Sequence, residues 1–491
     1  MKSNVDLKRV LQEKQKLLGK ASEESSSETN ENVLDRIPLI LDSNSFVEMY
    51  SMLSEDNKTS GLTAGFGTVN NRPAYLIMQN SKLNNGAVSN LQAKKFSSVV
   101  KSAMETGVPI ILSLDSAGVD LENGVFAMDA YSEMYAALSN ASGICPIICV
   151  VNGNCYGGNA ILSQLCDFVI AIDNKSQISM FGPQVICAAE GPDTKIEDVK
   201  KSINENNKLF ASVVCDSEEN AFSVAKFILS FLPDSNSDIP EYIAGTDLNQ
   251  LTSLNDGSSA QEILDSISDN NSYIKFYEHI DKSLCTALAR IGGHSVMLII
   301  SDNDDSNGVL TPKALEKASR MISIADSFNI PIISFVNSKG LSIGCTKSQQ
   351  EIIKSQANLV YSYASATVPK ISIVMGNAIG QVFASLVSKK FNDIVYALPE
   401  AVISALSPEV AIQLLWQDKI KESNSEISKS KEELAQEYIE KCASSIVAAK
   451  NGLVDDIVDP KYIRMHIVYA LEMLFSKNSL EYSKKHGNLP K

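Results

Sequence analysis

The sequence predicts an α/β protein made of two copies of one unit, and three observations support this prediction. Short runs of β-branched and other apolar residues alternate with longer segments of helical periodicity in both halves. Two motifs of the first half recur in the second half at nearly the same separation. Polar intervals divide the 491 residues into segments of domain size. Because strands separated by helix-length spacers form parallel sheets, each half is expected to contain one.

Composition and charge exclude several classes of protein. With 43 Lys and Arg against 58 Asp and Glu, the chain carries a net charge of −15, which argues against a surface for nucleic acid or an anionic membrane. The 9 cysteines form no C-x-x-C pair, so we expect buried reduced thiols, a cytoplasmic protein and no zinc site. No stretch approaches the roughly 18 apolar residues that span a bilayer. The 4 scattered histidines offer little to a Ser/His triad or a His-ligated metal.

The N-terminal segment is predicted to lie outside the core. Residues 6–20 have a charged helical pattern, and the polar run 22–32 cannot bury enough apolar surface to order itself. The interval from Pro233 to Asp256 lacks periodicity and is the best internal boundary. We therefore divide the chain into an N-terminal helix and flexible linker at 1–32, a first domain at 33–240 and a second domain at 241–491.

Within the two domains, eight strands are predicted from short β-branched runs between helix-length spacers. They are Ala74–Met78, Pro109–Leu114, Pro146–Val151 and Phe168–Ile172, then Ser295–Ile300, Pro331–Val336, Ile371–Met375 and Asp393–Leu398. Near the C-terminus, the segment from Lys419 to Glu440 is polar and lacks Pro and Gly, which favours an exposed helix.

The repeated motifs are the strongest evidence for a duplication. The segment from Val108 to Gly118 (VPIILSLDSAG) aligns with the segment from Ile330 to Gly340 (IPIISFVNSKG). The segment from Cys145 to Gly158 (CPIICVVNGNCYGG) aligns with the segment from Val368 to Gln381 (VPKISIVMGNAIGQ), and the two alignments have the same offset to within one position. Each unit therefore has one strand that ends in Ser-x-Gly and a second that ends in Gly-Asn-x-x-Gly.

The repeated turns can bind negative charge on an oxygen atom. A parallel strand that runs through a glycine-rich turn into a helix leaves backbone N–H groups unpaired beyond its carboxyl end. Amides that converge from two such turns form an oxyanion hole, which stabilises developing charge by about 3 kcal/mol per donor. The alternative is that these are only tight turns, but their repetition in both halves favours the hole. The candidate donors are Ala117, Gly118, Gly157 and Gly158 in the first unit and Gly340, Leu341, Gly380 and Gln381 in the second.

Other sites for phosphate binding or acid–base chemistry are not supported. The sequence has no G-x-x-x-x-G-K-[ST] motif and no G-x-G-x-x-G that follows a strand with an acidic residue about 20 positions later. No metal site is predicted. Five acidic residues near strand ends are better explained as turn caps, namely Asp115, Asp120, Asp302, Asp304 and Asp305.

Several segments between Val33 and Leu474 match the motifs of one family. They are DRIPLILDSNSFVE at 35–48, GFGTVNNRPAY at 65–75, FNIPI at 328–332, YSYASATVPK at 361–370 and AAKNGLVDDIVDP at 448–460. On these residues the chain resembles the biotin-dependent acyl-CoA carboxyltransferases. That family includes the β subunits of propionyl-CoA and related carboxylases and the α subunits of decarboxylases such as methylmalonyl-CoA decarboxylase.

The resemblance implies a fold and a mechanism. The fold would be two tandem crotonase-like domains of the ClpP/crotonase superfamily, each a spiral of ββα units, which agrees with the duplication. The hole of the first unit would hold the thioester enolate of a small acyl-CoA, and the hole of the second would hold the ureido oxygen of biotin. Carboxybiotin would release CO2, the biotin anion would take the α-proton and the enolate would capture CO2, or the reverse in a decarboxylase. This chemistry needs neither a protein nucleophile nor a metal.

The resemblance also implies partners and further site residues. Since the sequence contains no Ala/Val-Met-Lys-Met biotinylation motif, biotin is expected on a separate carrier protein, with biotin carboxylase or membrane decarboxylase subunits as further partners. A homo-oligomer is expected, a dimer of facing domains or a hexamer. Coenzyme A is expected near Gly86 with Lys82, Lys94 and Lys95 at its phosphates, and Ala384 lies where the family has an acidic residue of the acyl pocket.

Two other functions are considered. The changed turn at Val119-Asp120 and the divergent stretch after Ala188 suggest a catalytically weakened paralogue that serves as a scaffold subunit. A crotonase-type hydratase or thioesterase would use one hole only. It would need an acidic residue placed beside that hole, and a single domain would suffice. The sequence does not distinguish carboxylation from decarboxylation.

Overall fold

The chain divides into two compact units, Met1–Ile239 and Pro240–Lys491. The computed structural model describes residues 8–14, 33–55, 58–121, 124–191, 193–244, 247–302, 308–342, 346–416, 427–477, 487–488 and 490. A helix covers 8–14, inside the helical segment predicted at 6–20, whereas the predicted linker at 22–32 lies outside the described residues. None of the described helices combines the length and the apolar character that crossing a bilayer would require.

In its described part, the first unit contains strands β1–β10 and helices α1–α8, with α1 at 8–14. The strands are β1 Val47–Glu48, β2 Ser54–Glu55, β3 Lys58–Thr59, β4 Leu62–Val69, β5 Arg72–Gln79, β6 Ile110–Ser116, β7 Ile147–Tyr156, β8 Phe168–Ile172, β9 Gln177–Ser179 and β10 Val213–Cys215. The other helices are α2 Val33–Ile40, α3 Asn90–Thr106, α4 Val125–Ala141, α5 Gly158–Gln164, α6 Pro183–Glu190, α7 Ile196–Asn206 and α8 Glu218–Phe231.

The main sheet of this unit has the order β1-β4-β5-β6-β7-β8-β10, and β9 pairs with the end of β7. Strands β4 and β5 form an antiparallel hairpin, whereas β5 to β8 and β10 are parallel. Strand β6 is buried along its whole length, as expected for a central strand of a parallel sheet. The carboxyl ends of β6 and β7 therefore lie side by side in the middle of the sheet.

The described part of the second unit contains β11–β20 and α9–α15. The strands are β11 Tyr273–Phe276, β12 Leu284–Ile291, β13 His294–Ser301, β14 Val309–Leu310, β15 Ile332–Ser338, β16 Gly340–Leu341, β17 Lys370–Ile379, β18 Ile394–Ala397, β19 Val402–Ser404 and β20 Asp456–Ile457. The helices are α9 Ala260–Ile267, α10 Pro312–Ser327, α11 Thr346–Ser365, α12 Pro408–Leu415, α13 Ile427–Tyr438, α14 Ser445–Lys450 and α15 Ile463–Leu474.

The second sheet repeats the topology of the first. Its order is β11-β12-β13-β15-β17-β18-β20, and β19 pairs with the end of β17. Again one antiparallel hairpin, β12–β13, leads into parallel strands. The duplication predicted from the repeated motifs is therefore present as two sheets of the same strand order.

The eight predicted strands are all present, and two of them run four or five residues past their predicted C-terminal ends. Strands β7 and β17 run on to Tyr156 and Ile379, because their Gly-Asn-x-x segments pair with β9 and β19. The expectation of purely parallel sheets is wrong for the hairpins β4–β5 and β12–β13. Within the segment 419–440, α13 covers Ile427–Tyr438, and 417–426 lie outside the described residues.

Side-chain caps set the start of the long helices that follow the hairpins. The Ser89 hydroxyl accepts a hydrogen bond from the Gln92 N–H at the start of α3, and Thr311 caps α10 in the same way, with Pro312 at the first helical position. Helix α3 ends at Gly107, whose φ of +62° is the left-handed conformation of a helix C-terminus. These two helices pack against the sheets whose strands lead into the glycine-rich turns.

Candidate active site

The turn after β6 leaves one backbone amide without an acceptor. Gly118 has a φ of +119°, a conformation that favours glycine. Beyond it, Val119 forms an isolated parallel bridge with Val88, whose N–H donates to Gly118 O at 2.9 Å. The Ala117 N–H donates to Asn85 O, also at 2.9 Å. The Val119 N–H has no acceptor among the described residues.

The turn after β7 leaves a second such amide. Gly157 has a φ of +60°, and its N–H donates to Ser179 O on β9 at 3.0 Å. Gly158 then begins α5, and within the described ranges its N–H finds no acceptor. A Cβ at Gly158 would lie 2.4 Å from the ring of Tyr131, so no larger residue fits without a shift of that ring or of the turn.

These two turns lie next to each other. Ser116 on β6 pairs with Cys155 on β7, directly before the turns. A Cβ at Gly118 would lie 3.9 Å from Tyr156 O, which is ordinary contact distance between the two turns. Gly86 packs closely against the end of β6 before the first turn, because a Cβ there would lie 2.3 Å from Asp115 O. The two unpaired amides of the first unit therefore belong to adjacent, tightly packed backbone segments.

The second unit has the same arrangement after β15. Gly340 has a φ of +123°, and the preceding Lys339 N–H donates to Gly308 O at 2.7 Å. Leu341 pairs in parallel with Leu310, as Val119 does with Val88. The Leu341 N–H lacks an acceptor in the part of the chain that the structure describes.

After β17 the correspondence continues. Gly380 has a φ of +62°, and its N–H donates to Ser404 O on β19 at 2.8 Å. The next residue, Gln381, has an exposed side chain, and no described group accepts from its N–H. Gln381 occupies the place of Gly158, so a side chain is accommodated in the second unit where the first requires glycine.

The structure corrects the choice of donors in the predicted holes. Three predicted donors already bind a backbone carbonyl oxygen through their N–H groups, namely Ala117, Gly157 and Gly380. Two others bind serine hydroxyls at 3.2 Å: the Gly118 N–H donates to Ser116 and the Gly340 N–H donates to Ser338. Of the eight predicted residues, only Gly158, Leu341 and Gln381 carry an amide without a described acceptor. The sequence reasoning missed Val119, although Val119 and Leu341 directly follow the aligned residues Gly118 and Gly340.

One predicted lysine is in the wrong environment for a phosphate. The prediction for Lys95 is wrong, because its side chain is 2% exposed and its ammonium pairs with Glu48 Oε1 at 3.0 Å. Burial lowers the pKa of Lys95, although the Glu48 carboxylate opposes this shift. By contrast, Lys94 is exposed on the first turns of α3 and Lys82 is half-buried before the Asn84–Gly86 turn.

Two further predicted residues have a defined place. Ala384 is exposed and lies in the π-helical turn Phe383–Val387, shortly after Gln381. Asp115 was predicted to cap a turn, but it lies in β6 and one of its carboxylate oxygens accepts the N–H of Asn154 in the neighbouring strand β7 at 3.1 Å. In the second unit Asn337 does the same for the Asn377 N–H at 2.8 Å. Asp304 and Asp305 lie outside the described residues.

A buried polar network connects the elements around the two turns of the first unit, and the sequence reasoning did not identify it. The Gln79 amide donates to Asn159 Oδ1 at 3.1 Å, and Asn159 Nδ2 donates to the Tyr131 hydroxyl at 3.1 Å. The Asp115 N–H donates to Gln79 Oε1 at 3.1 Å, which connects the network to the end of β6. Burial raises the pKa of Tyr131 well above its ordinary value, so its hydroxyl stays protonated. The one signal of this network in the sequence is the presence of polar residues within apolar runs.

The cysteines near these turns are not equipped as nucleophiles. Cys149 and Cys155 are fully buried in β7, and burial among neighbouring thiols raises the pKa of both. Burial also raises the pKa of Cys145 to about 12. Cys442 in the second unit is exposed, contrary to the expectation of buried thiols. Among the described residues, no group of three or more His, Cys, Asp or Glu side chains could hold a metal ion.

Comparison with known proteins agrees with this geometry. The family model described as "Carboxyl transferase domain" matches residues 25–489. The chain is 30% identical to the methylmalonyl-CoA decarboxylase subunit alpha of Propionigenium modestum, over 93% of this chain and 92% of that protein. It is 29% identical to the methylmalonyl-CoA carboxyltransferase 12S subunit of Propionibacterium freudenreichii subsp. shermanii, over 95% of this chain and 93% of that one.

The solved structures give the same result at the level of the fold. A transcarboxylase 12S hexamer with methylmalonyl-coenzyme A and methylmalonic acid bound superimposes with a TM-score of 0.92 at 27% identity, covering 100% of this chain and 99% of that one. The α/β fold with repeated parallel sheets is thus the carboxyltransferase form of the crotonase-like fold. Because the family model and the alignments span nearly all of the sequence, this chain belongs to the carboxyl transferase domain family, and it is a carboxyltransferase of the biotin-dependent acyl-CoA carboxylase and decarboxylase type.

Proposed function

We propose that this protein moves a carboxyl group between biotin and the α-carbon of a short-chain acyl-CoA, with methylmalonyl-CoA and propionyl-CoA as the substrate pair. The observation that carries the proposal is the pair of unpaired amides in each unit, after neighbouring strands and in the same backbone arrangement. Relatives named for methylmalonyl-CoA chemistry cover almost the whole chain and support the choice of acyl group.

The first domain, 33–240, binds the acyl-CoA in this proposal. The N–H groups of Val119 and Gly158 donate to the thioester oxygen, which becomes an enolate oxygen when the α-carbon loses CO2 or a proton. Fixed donors stabilise this charge as it develops, each by about 3 kcal/mol. Tight packing of Gly158 against Tyr131 keeps the second donor from moving away from the oxygen.

The second domain, 241–491, binds biotin. Biotin bound here supplies a ureido nitrogen that carries the carboxyl group. The residues fit such a ligand, because the amides of Leu341 and Gln381 lack described acceptors and, its chain neighbours aside, no described heavy atom lies within 4 Å of the position of a Cβ at Gly340. Those two N–H groups would hold the ureido oxygen and stabilise negative charge on it.

Coenzyme A binds at the start of α3. Lys94 and Lys82 attract its phosphates there, and Gly86 keeps the backbone between them close to β6. Lys95 has no part in this binding, since its ammonium is committed to Glu48. Ala384 borders the acyl group with a methyl in place of an acid, which leaves the pocket uncharged on that side.

We propose that biotin arrives on a separate carrier protein, because the sequence contains no Ala/Val-Met-Lys-Met motif. The partners are then this carrier and either a biotin carboxylase or membrane decarboxylase subunits, with the reaction in the cytoplasm. The chain acts as a homo-oligomer in which the first domain of one subunit faces the second domain of another. The hexamer of the transcarboxylase 12S neighbour supports an oligomer.

The test is a carboxyl-transfer assay. Purified protein is incubated with biotin or biocytin and methylmalonyl-CoA, and loss of the carboxyl group is followed together with formation of propionyl-CoA. Malonyl-CoA serves as the comparison substrate. Turnover that depends on both biotin and the acyl-CoA is expected. An intact oligomer that shows no turnover with either acyl-CoA would overturn the proposal.

The scaffold interpretation finds no support. A scaffold subunit has no need of unpaired amides, yet both units keep them after the same strands. The hydratase or thioesterase interpretation explains one hole and leaves the second unit without a function. Both amide pairs together favour transfer between two ligands.

A further inference from the structure

The second turn of the first unit is held at two successive residues. On one side the Gly157 N–H donates to Ser179 O at 3.0 Å. On the other side the hydroxyl of Tyr135, on α4, donates to Gly158 O at 3.2 Å. Two different elements therefore hold this turn, β9 at Gly157 and α4 at Gly158, whose own amide has no described acceptor.

The second unit holds the corresponding turn in the same two ways. The Gly380 N–H donates to Ser404 O on β19 at 2.8 Å. The side-chain amide Nε2 of Gln356, on α11, donates to Gln381 O at 3.3 Å. The hydrogen bond from the glycine N–H to a serine carbonyl is the same in both units. The hydrogen bond from the helix comes from a tyrosine hydroxyl in the first unit and from a glutamine amide in the second.

Tyr135 and Gln356 lie on helices α4 and α11, which precede the strands β7 and β17 in the two copies. Each lies one helical turn before a fully buried leucine of its helix, Leu138 on α4 and Leu359 on α11. A phenol and a carboxamide share little except a hydrogen-bond donor at the end of the side chain. The feature common to both units is thus a donor to the carbonyl of the residue after the turn.

On this evidence we propose that Tyr135 and Gln356 are positioning residues, each of which holds the amide donor of one oxyanion hole by binding the carbonyl of the same donor residue. The inference rests on the proposed function, in which Gly158 and Gln381 are those donors.

The local structure explains why such a contact is needed. Helix α5 has 7 residues, and a helix of this length is marginal without tertiary contacts. In the second unit, the chain passes from Gln381 into a π-helical turn at Phe383–Val387, which is also short. Stabilisation of a developing oxyanion depends on donors that stay within hydrogen-bond distance of it. A side chain from a long neighbouring helix supplies that restraint.

The hydroxyl of Tyr135 can be separated from the packing of its ring. The ring stacks on Tyr131 with centroids 5.8 Å apart, and Tyr135→Phe keeps this contact while it removes the donor. For Gln356, the matched variant is Gln356→Met, which keeps the length of the side chain. Because Gln356 Oε1 is buried without a partner among the described residues, this variant also removes an unsatisfied acceptor, so we expect little loss of stability.

Steady-state kinetics test the two residues separately. Tyr135→Phe should lower kcat for methylmalonyl-CoA about tenfold, the change that corresponds to about 1.4 kcal/mol of transition-state stabilisation, with KM within about twofold. Gln356→Met should slow the decay of N-carboxybiotin measured without acyl-CoA, whereas Tyr135→Phe should not. A purely structural defect would lower both activities together. Tyr273→Phe, which removes a hydroxyl bonded to Asp265, is the control and should leave both unchanged.

Hydrogen–deuterium exchange provides a readout that needs no activity. The peptide that contains Gly158 should exchange faster in Tyr135→Phe, and the peptide that contains Gln381 should exchange faster in Gln356→Met, with the other turn as internal control. A wild-type enzyme without turnover would overturn the proposed function and leave this exchange result to decide the positioning role. Unchanged exchange at both turns, or an active Tyr135→Phe variant with the kcat of the wild type, would overturn the inference.

Discussion

In the proposed site, single residues act through the position of backbone amides, so a substitution matters by what it does to the turn. Gly158 and Gln381 illustrate the point. The first has no room for a Cβ beside Tyr131, and the second carries a full side chain at the equivalent place. Whether this position of the proposed hole requires glycine is therefore decided by packing against the neighbouring helix rather than by the ligand.

We expect Gly158→Ala to lower kcat about a hundredfold while the chain stays folded. The new Cβ would lie 2.4 Å from the Tyr131 ring, so either the ring or the turn has to move, and the amide moves with the turn. Gly182→Ala is the matched control, since its Cβ would make only ordinary contact with Tyr156 at 3.5 Å. Kinetics and thermal unfolding of both variants check this. Equal kcat values for the two would remove Gly158 from the hole.

The corrected assignment of the lysines leads to a second prediction. Lys94→Glu should raise KM for the acyl-CoA about three- to tenfold at low salt, because an exposed charge beside a phosphate is reversed. The increase should shrink at high ionic strength. Lys101→Glu makes the same change further along α3, at a residue with a side chain 70% exposed, and should leave KM unaffected. If both variants shift KM equally, the effect reflects net charge rather than a phosphate contact.

At the scale of elements, the sequence predicted the parallel strands well because each is a short, largely apolar run. Strand β4 (LTAGFGTV) was not predicted, since its glycines suggest a loop. The structure shows their purpose, as a Cβ at Gly65 would lie 2.1 Å from Val47 O on the neighbouring strand. Which amide of a turn stays unpaired likewise depends on partners distant in sequence, such as Asn85 for Ala117, and no local pattern reveals them.

Helical periodicity, by contrast, could have corrected the assignment of Lys95. This residue lies three positions after Gln92 and four before Val99, both buried on the inner face of α3. Lys317 occupies the same place in α10, at the sequence offset that the first repeated motif defines, and is also buried. A lysine on the apolar face of a helix in both copies indicates a structural ion pair or a buried hydrogen bond rather than a ligand contact.

A cluster of charged side chains connects several elements of the first unit. Arg36 on α2 and Lys175 contact the two carboxylate oxygens of Glu218 at 2.6 and 2.5 Å, and Asn152 on β7 donates to it at 2.9 Å. Burial alone would raise the pKa of Glu218, but the hydrogen bonds from Lys175 and Asn152 and the charge of Arg36 outweigh it and hold the pKa below 4.5.

We expect Glu218→Gln to destabilise the protein at neutral pH by about 2–4 kcal/mol, because it leaves two partly buried cations without their carboxylate. Since the pKa is lower in the folded state, the stabilisation from Glu218 is present above pH 4.5 and is lost as the pH falls through the folded-state value. The difference in Tm between wild type and variant should therefore disappear at acidic pH. Glu219→Gln, at the exposed neighbour, should show no gap at any pH.

At the scale of the whole molecule, the net charge of −15 has to be reconciled with a ligand that carries several phosphates. A uniformly acidic surface would repel coenzyme A, so the attraction must be local, at the start of α3. The proposed function explains why this suffices, because in it the two similar domains divide the two ligands between them. Neither domain then has to bind both anionic groups.

This division allows the proposed assembly to be tested by complementation. If each site combines the first domain of one subunit with the second domain of another, Gly158→Val and Gly380→Val chains should be nearly inactive alone and should regain activity when they assemble together. Random assembly would give both intact domains to about one site in four, so about a quarter of wild-type activity is expected. Mixed oligomers from co-expression, isolated with two affinity tags, provide the measurement. Mixed oligomers that remain inactive would show that each site uses both domains of a single chain.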